Sequence, residues 1–192
     1  MAKEIMIVSL NMSRASLSLL CVLAVVSPTF AAGHLASGYV SVVRSATSVK
    51  PGKYTLTPQN AVTLRLDATD RSKTNGKQLQ LWKSAGNPNQ AWIFTKGSGG
   101  WYKIAPSYAP NLAVSVNANS AKNGTPVVLW ADTGSAGQRW ALKQDKGGYS
   151  LVPKCAPGSR MDVTGWGGAN GVKIQIWSAT GGKNQTWAIG TK

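Results

Sequence analysis

The chain has 192 residues, 43% of them hydrophobic, and 21 Lys and Arg against 6 Asp and Glu give it a net charge of +15. That length gives one domain, or one domain with extras. One histidine (His34) and two cysteines (Cys21 and Cys155) exclude a disulfide scaffold and the usual zinc ligand sets.

The N-terminus reads as a targeting segment. Lys3 and Arg14 precede the apolar run from Leu17 to Val26, and Pro28-Thr29-Phe30-Ala31-Ala32 follows it. A basic start, a short apolar stretch and small residues at its end predict a secretory signal peptide over residues 1–31, with cleavage after Ala32 as the alternative. The run is about half of the ~20 residues that a spanning helix needs, so no transmembrane segment is expected. The expected location is therefore secreted, extracellular or periplasmic. Cleavage after Ala31 leaves 19 basic and 5 acidic residues, a net +14. It also leaves one cysteine, Cys155, either a buried thiol or a handle for dimerisation. Residues 32–51, with Ser, Lys, Pro and Gly, read as an N-terminal extension or linker.

The rest of the chain is a threefold repeat, over about 52–99, 100–147 and 148–192. Each repeat opens with a Tyr-containing apolar stretch that ends in Pro: Tyr54 to Pro58, Tyr102 to Pro106 and Tyr149 to Pro153. A second apolar stretch follows at Leu64-Arg65-Leu66, at Leu112-Ala113-Val114 and around Met161. Asn-Gly recurs at Asn75-Gly76, Asn123-Gly124 and Asn170-Gly171, at spacings of 48 and 47 residues. A third stretch alternates: Leu79-Gln80-Leu81, Val127-Val128-Leu129, Ile174-Gln175-Ile176, each leading to Trp82, Trp130 or Trp177. Each repeat then reaches Gln-x-Trp, at Gln90, Gln138 and Gln185, and runs on to Phe94, Leu142 or Ile189.

Period-two alternation between Gly, Asn and Pro punctuation predicts four short strands per repeat. Asn-Gly supplies the positive φ that a tight connection needs. Propellers use roughly four to eight blades, so three four-stranded units predict a different closure. The expected fold is all-β: a pseudo-threefold β-trefoil, a six-stranded barrel capped by three hairpins. Closure removes edges that would otherwise invite aggregation.

With these landmarks, residues 52–192 resemble the ricin B-chain family of lectins, including the family 13 carbohydrate-binding modules. The resemblance implies that Trp92, Trp140 and Trp187 pack in the trefoil core, as a Trp in the fourth strand of every repeat does on physical grounds. It also implies a sugar site made of an Asp after the second strand, an aromatic residue in the third, and an Asn beside the Gln-x-Trp. In the first repeat these fall on Asp67, Trp82 and Asn89, with Gln80 before the Trp. In the third they fall on Asp162, Trp177 and Asn184, with Gln175 before the Trp. Asp-to-Trp spacing is 15 and Trp-to-Asn spacing is 7 in both repeats. The second repeat carries Ser115, Trp130 and Gly137, with Val128 in the Gln position, and is expected not to bind or to bind very weakly.

The chemistry suits a sugar. A carboxylate offers acceptors to two hydroxyls, Asn offers a donor and an acceptor, and Trp offers a flat apolar face. The resemblance makes galactose-type or xylose-type glycans the expected ligands. The simpler reading of Asp67 and Asp162 is as turn residues capping their own backbone. Against it, they are two of the five acidic residues left after signal removal, each with its Trp and Asn partners. Trp130 persists in the second repeat without those partners, so Asp and Asn mark the site better than Trp does. Trp166, among glycines, reads either as an extra subsite or as local packing. The scattered Lys and Arg read as a solvated basic surface or as an attraction to anionic surfaces. No nucleic-acid module is present. Glycosidases need two carboxylates within about 10 Å; Glu is absent after residue 4, and Asp67 and Asp162 fall in different repeats. The expectation is a binder and not an enzyme, with no cofactor and no metal. The competing reading is a trefoil scaffold for a protein or an anionic surface, with vestigial sugar sites.

Overall fold

The computed structural model describes residues 48–192. The expected signal peptide, most of the expected 32–51 extension and His34 lie outside the described residues. The first lobe holds β1 (Gly52–Pro58), β2 (Leu64–Asp67), β3 (Lys77–Gln78), β4 (Gln80–Lys83) and β5 (Trp92–Lys96). The second holds β6 (Tyr102–Pro106), β7 (Leu112–Val116), β8 (Val127–Ala131) and β9 (Trp140–Asp145). The third holds β10 (Gly148–Pro153), β11 (Ser159–Val163), β12 (Ile174–Ser178) and β13 (Trp187–Thr191). The first and last strands of each lobe close one six-stranded barrel, in the order β1-β13-β10-β9-β6-β5. The middle strands form three hairpins, β2 with β4, β7 with β8, and β11 with β12. This is the expected β-trefoil.

Two details differ from the expectation. The third strand of the first lobe is split at Leu79. Its β3 part pairs with β8 of the second lobe, and only its β4 part pairs with β2. The fourth strands begin at the Trp, not at the Gln. Each Gln ends a short 3-10 turn, Pro88–Gln90, Ala136–Gln138 or Lys183–Gln185. The physical reason lies in the Gln side chains. Each amide donates to the carbonyl of Lys83, Ala131 or Ser178 and accepts from the N–H of Ala85, Thr133 or Thr180, at 2.8–3.0 Å. The buried Gln thus satisfies loop backbone that no strand reaches.

The three lobes meet through their hairpins. The N–H of Leu79 donates to Val127 O, that of Ile176 to Thr125 O, and that of Ile174 to Leu79 O. The Asn of each Asn-Gly reaches across to a neighbouring lobe. Asn75, Asn123 and Asn170 accept from the N–H of Ala131, Ser178 and Lys83 at 2.7–2.8 Å. The following glycines have φ of 82–86°. The motif therefore ties lobes together as well as turning the chain.

Trp92, Trp140 and Trp187 are fully buried, as expected. Each indole N–H donates to a carbonyl 26 residues earlier, of Leu66, Val114 or Met161, at 2.9–3.2 Å. Truncating one to Ala costs about 3–5 kcal/mol. Cys155 is part-buried against the core, and burial pushes its thiol pKa up, so it stays protonated. Among the described residues no helix is long and apolar enough to cross a membrane, and no cluster of His, Cys, Asp or Glu has the makings of a metal site.

Candidate functional site

Each hairpin carries a hollow on its outer side, and strand register decides what lines it. Asp67 stands directly opposite Gln80 across the β2–β4 pair, and Asp162 opposite Gln175 across β11–β12. Period two puts Trp82 on the face of Gln80, and Trp177 on the face of Gln175. The loop before the core Trp then returns Asn89 or Asn184 to the same place.

The two carboxylates are held alike. Asp67 Oδ1 accepts from Gln80 at 3.2 Å, and Oδ2 accepts from Asn89 at 2.7 Å and Gln90 at 3.1 Å. Asp162 Oδ1 accepts from Gln175 at 2.9 Å, and Oδ2 from Asn184 at 2.7 Å and Gln185 at 2.9 Å. Asp67 is 2% exposed and Asp162 3%. Burial raises both pKa values, and the amide hydrogen bonds oppose that rise without cancelling it. These are not turn residues capping their own backbone.

A carboxylate has about four acceptor positions, and amides fill three of them here. The two-hydroxyl role expected for each Asp is therefore narrowed to one open position, on Oδ1. Each hollow also holds a second unfilled acceptor. Asn89 Oδ1 and Asn184 Oδ1 are buried with no hydrogen-bond partner. A buried acceptor without a partner is costly, so a donor from a ligand is the natural complement. Trp82 and Trp177 remain 43% and 41% exposed and supply an apolar wall.

All eight expected residues come together, four in each of two hollows. The hollow in the first lobe has about 700 Å³ and that in the third about 380 Å³. The second lobe offers about 210 Å³, lined by Ser115, Asn119 and Trp130 among others. Its Asn119 Oδ1 accepts the N–H of Gly137 at 2.6 Å, and a β-carbon on Gly137 would fall 2.5 Å from that oxygen. Asn119 thus occupies the space that the Asn side chain fills in the other lobes.

Three contributors escaped the sequence reading. Gln90 and Gln185 hold the carboxylates; the signal was the Gln of each Gln-x-Trp, of which only the Trp had been assigned a role. Trp166 has counterparts by position in the other two lobes. Arg71, Asn119 and Trp166 each lie four residues beyond Asp67, Ser115 and Asp162, with φ of 50°, 53° and 56°. Trp166 lines the third hollow, and Asn60 Nδ2 donates to its backbone carbonyl at 3.2 Å. Finally, Lys173 of the third lobe lines the hollow of the first.

A pseudo-threefold trefoil, two of whose hairpins carry a buried carboxylate, an unpartnered amide oxygen and an exposed indole, is a carbohydrate-binding trefoil. The sequence profile described as "Ricin-type beta-trefoil lectin domain-like" matches residues 40–130 and 131–192, and the chain belongs to that family. No curated protein sequence matches it. Solved structures do. ThreeFoil, a designed threefold-symmetric protein, is similar at a TM-score of 0.70 and 26% identity, over 73% of this chain and 99% of that one. An exo-β-1,3-galactanase from Clostridium thermocellum is similar at 0.69 and 28%, over 73% of this chain but only 30% of that one. The Rhizoctonia solani agglutinin shares the fold at 0.68 and 19% identity, over 77% of this chain and 100% of that one. The chain is a binding module and not an enzyme, on the strength of the lectin-family match.

Proposed function

We propose that this protein is a secreted lectin with two working sugar sites, in the first and third lobes, and a second lobe that does not bind. One observation carries the reading. The same set of Asp, Gln, Asn and exposed Trp is built twice, each time with a buried, unpartnered Asn oxygen. Vicinal hydroxyls on one edge of a pyranose fit the Asp Oδ1 and Asn Oδ1 acceptors, and its C–H face fits the indole. Galactose-type and xylose-type glycans are the first candidates. Export rests on the sequence of residues 1–31 and is checked by the N-terminus of the exported protein. Shallow, wet sites of this kind hold a monosaccharide at about millimolar Kd. Two of them on one rigid scaffold raise apparent affinity for a multivalent surface by roughly 10²-fold.

The test is a glycan array with the mature protein beside an Asp67→Ala/Asp162→Ala double variant. The reading requires a defined sugar class for the wild type and its loss in the variant. Binding of anionic glycans alone by both proteins, or of nothing by either, overturns it in favour of charge or a protein partner.

A further inference from the structure

The two hollows share a floor and differ at the rim. The rim of the first carries Arg71, Lys77 and Lys173 together with one carboxylate, Asp70. Lys77 is tied to Asp70 at 3.0 Å. Among the described residues neither Arg71 nor Lys173 has a carboxylate partner. Lys173 Nζ donates instead to Gln80 Oε1 at 3.4 Å, beside the carboxylate of Asp67. The third hollow carries no Lys or Arg in its lining.

Strand register makes this contrast a matter of position. Four residues beyond the key Asp, Arg71 in the first lobe answers to Trp166 in the third. Ten residues beyond it, Lys77 answers to Val172. The bridge that brings Lys173 beside Gln80 has its counterpart in Pro126 beside Gln175. All three cation positions of one rim are uncharged in the other, and Asp70, which answers to Gly165, is paired with Lys77 and leaves Arg71 and Lys173 uncompensated. A cation retained for solubility alone needs no such arrangement around a pocket.

Resting on the lectin reading, we propose that the two sites take different sugars: the first a glycoside bearing an anionic substituent, carboxylate or sulfate, and the third a neutral one. In the first lobe the sugar hydroxyls meet Asp67 and Asn89, and the anion lies on Arg71 and Lys173, whose charges offset that of Asp67. The Arg71 guanidinium offers a fork of donors to it. In the third lobe Trp166, 57% exposed, and Trp177 give two apolar walls, and an anion there would have no counter-charge while facing Asp162.

The experiment titrates the full mature chain with methyl galactoside, methyl galacturonide and galactose 6-sulfate, and with methyl xyloside and methyl glucuronide. Indole N–H signals report the lobes separately, Trp82 for the first and Trp166 and Trp177 for the third, assigned by single Trp→Phe variants. At low salt the Trp82 signal is expected to give an affinity about fivefold or more higher for an anionic member than for its neutral parent, the scale of two exposed charge contacts. The Trp177 signal is expected to show no such preference. Arg71→Ala/Lys173→Ala, both exposed residues, is expected to bring the Trp82 ratio close to one, and Lys143→Ala to leave it in place. Equal Trp82 affinities for neutral and anionic probes overturn the proposal while the lectin reading stands. An anionic preference that survives Arg71→Ala/Lys173→Ala overturns it too, in favour of diffuse surface charge. No response of any indole to any probe removes the lectin reading and this proposal together.

Discussion

Trp166 lies directly over Gly182: a β-carbon on Gly182 would fall 2.7 Å from Trp166 Cζ2 and 2.6 Å from Asn184 Oδ1. Gly182 therefore lets the indole and the unpartnered acceptor of the third hollow share one small space. Both positions are too close for any real side chain, so Gly182→Ala must move one or both groups. The expected cost is about 1–3 kcal/mol in stability, as for other overpacked sites, with third-lobe sugar affinity down about fivefold or more. The first lobe should keep its affinity. Site-resolved indole titration with a denaturation curve measures both effects.

Asp67 and Asp162 are each the acceptor for three side-chain amides. Asp→Ala at either position strands buried donors, Gln90 and Gln185 among them. The expected loss is about 1–3 kcal/mol for each variant. The two clusters share no residue, so the double variant should sum to within about 0.5 kcal/mol. Urea midpoints of the wild type, both singles and the double test this. A single variant with unchanged stability would mean that the amides find water or other partners without penalty.

Much of this architecture is written in the repeat. Gln-x-Trp, Asn-Gly and the alternating third stretch fall in register three times, and each landmark marks an element with a threefold counterpart. The Asp, Trp and Asn spacing was legible because hairpin register converts it directly into proximity. The rim was not legible in the same way. Arg71, Asn119 and Trp166 share no chemistry, and what unites them is a left-handed backbone that non-glycine residues seldom adopt. The split at Leu79 was also hidden, since a continuous apolar alternation does not say that its two halves pair with different lobes. Nor does a sequence show that Gln90 fills an acceptor position on Asp67, a fact that depends on a turn folding back over the hairpin.

Acidity should act on the two carboxylates through both binding and stability. Burial raises each pKa above the ordinary value of 3.8, so the folded state takes up these protons before the unfolded chain does. Their linked contribution to stability is therefore fully present below pH 3.8 and is lost as pH rises through the raised folded values. Asp132, lowered by the N–H of Gly134 and by Arg139 and Lys103 despite its burial, acts oppositely. Its contribution is present above its ordinary value and lost as pH falls through its depressed one. Binding follows the carboxylates alone. A protonated Asp67 or Asp162 is a poorer acceptor for sugar hydroxyls, so affinity in both lobes should fall on acidification with midpoints above 3.8. Indole titrations from neutral to acid pH check this, and a midpoint at or below the ordinary carboxylate value would contradict it.

The second lobe offers a gain-of-function test. Ser115→Asp, Val128→Gln and Gly137→Asn together restore the four-residue set, since Trp130 is already present and 39% exposed. That triple variant should still fail to bind. Asn119 Oδ1 stands 2.5 Å from where the new side chain at position 137 begins, and Val116 O stands 3.1 Å from it. Adding Asn119→Trp with Ser135→Gly, the counterpart of Gly182, removes the plug and copies the third lobe. The backbone there already has φ of 53°, against 56° at Trp166, so the indole can adopt the same course. The quintuple variant is expected to give a Trp130 indole response to neutral glycosides that the triple lacks. If the triple binds as well as the quintuple, Asn119 is not what closes the second lobe. If neither binds, the set of Asp, Gln, Asn and Trp is insufficient, and the loops that frame it must supply the missing contacts.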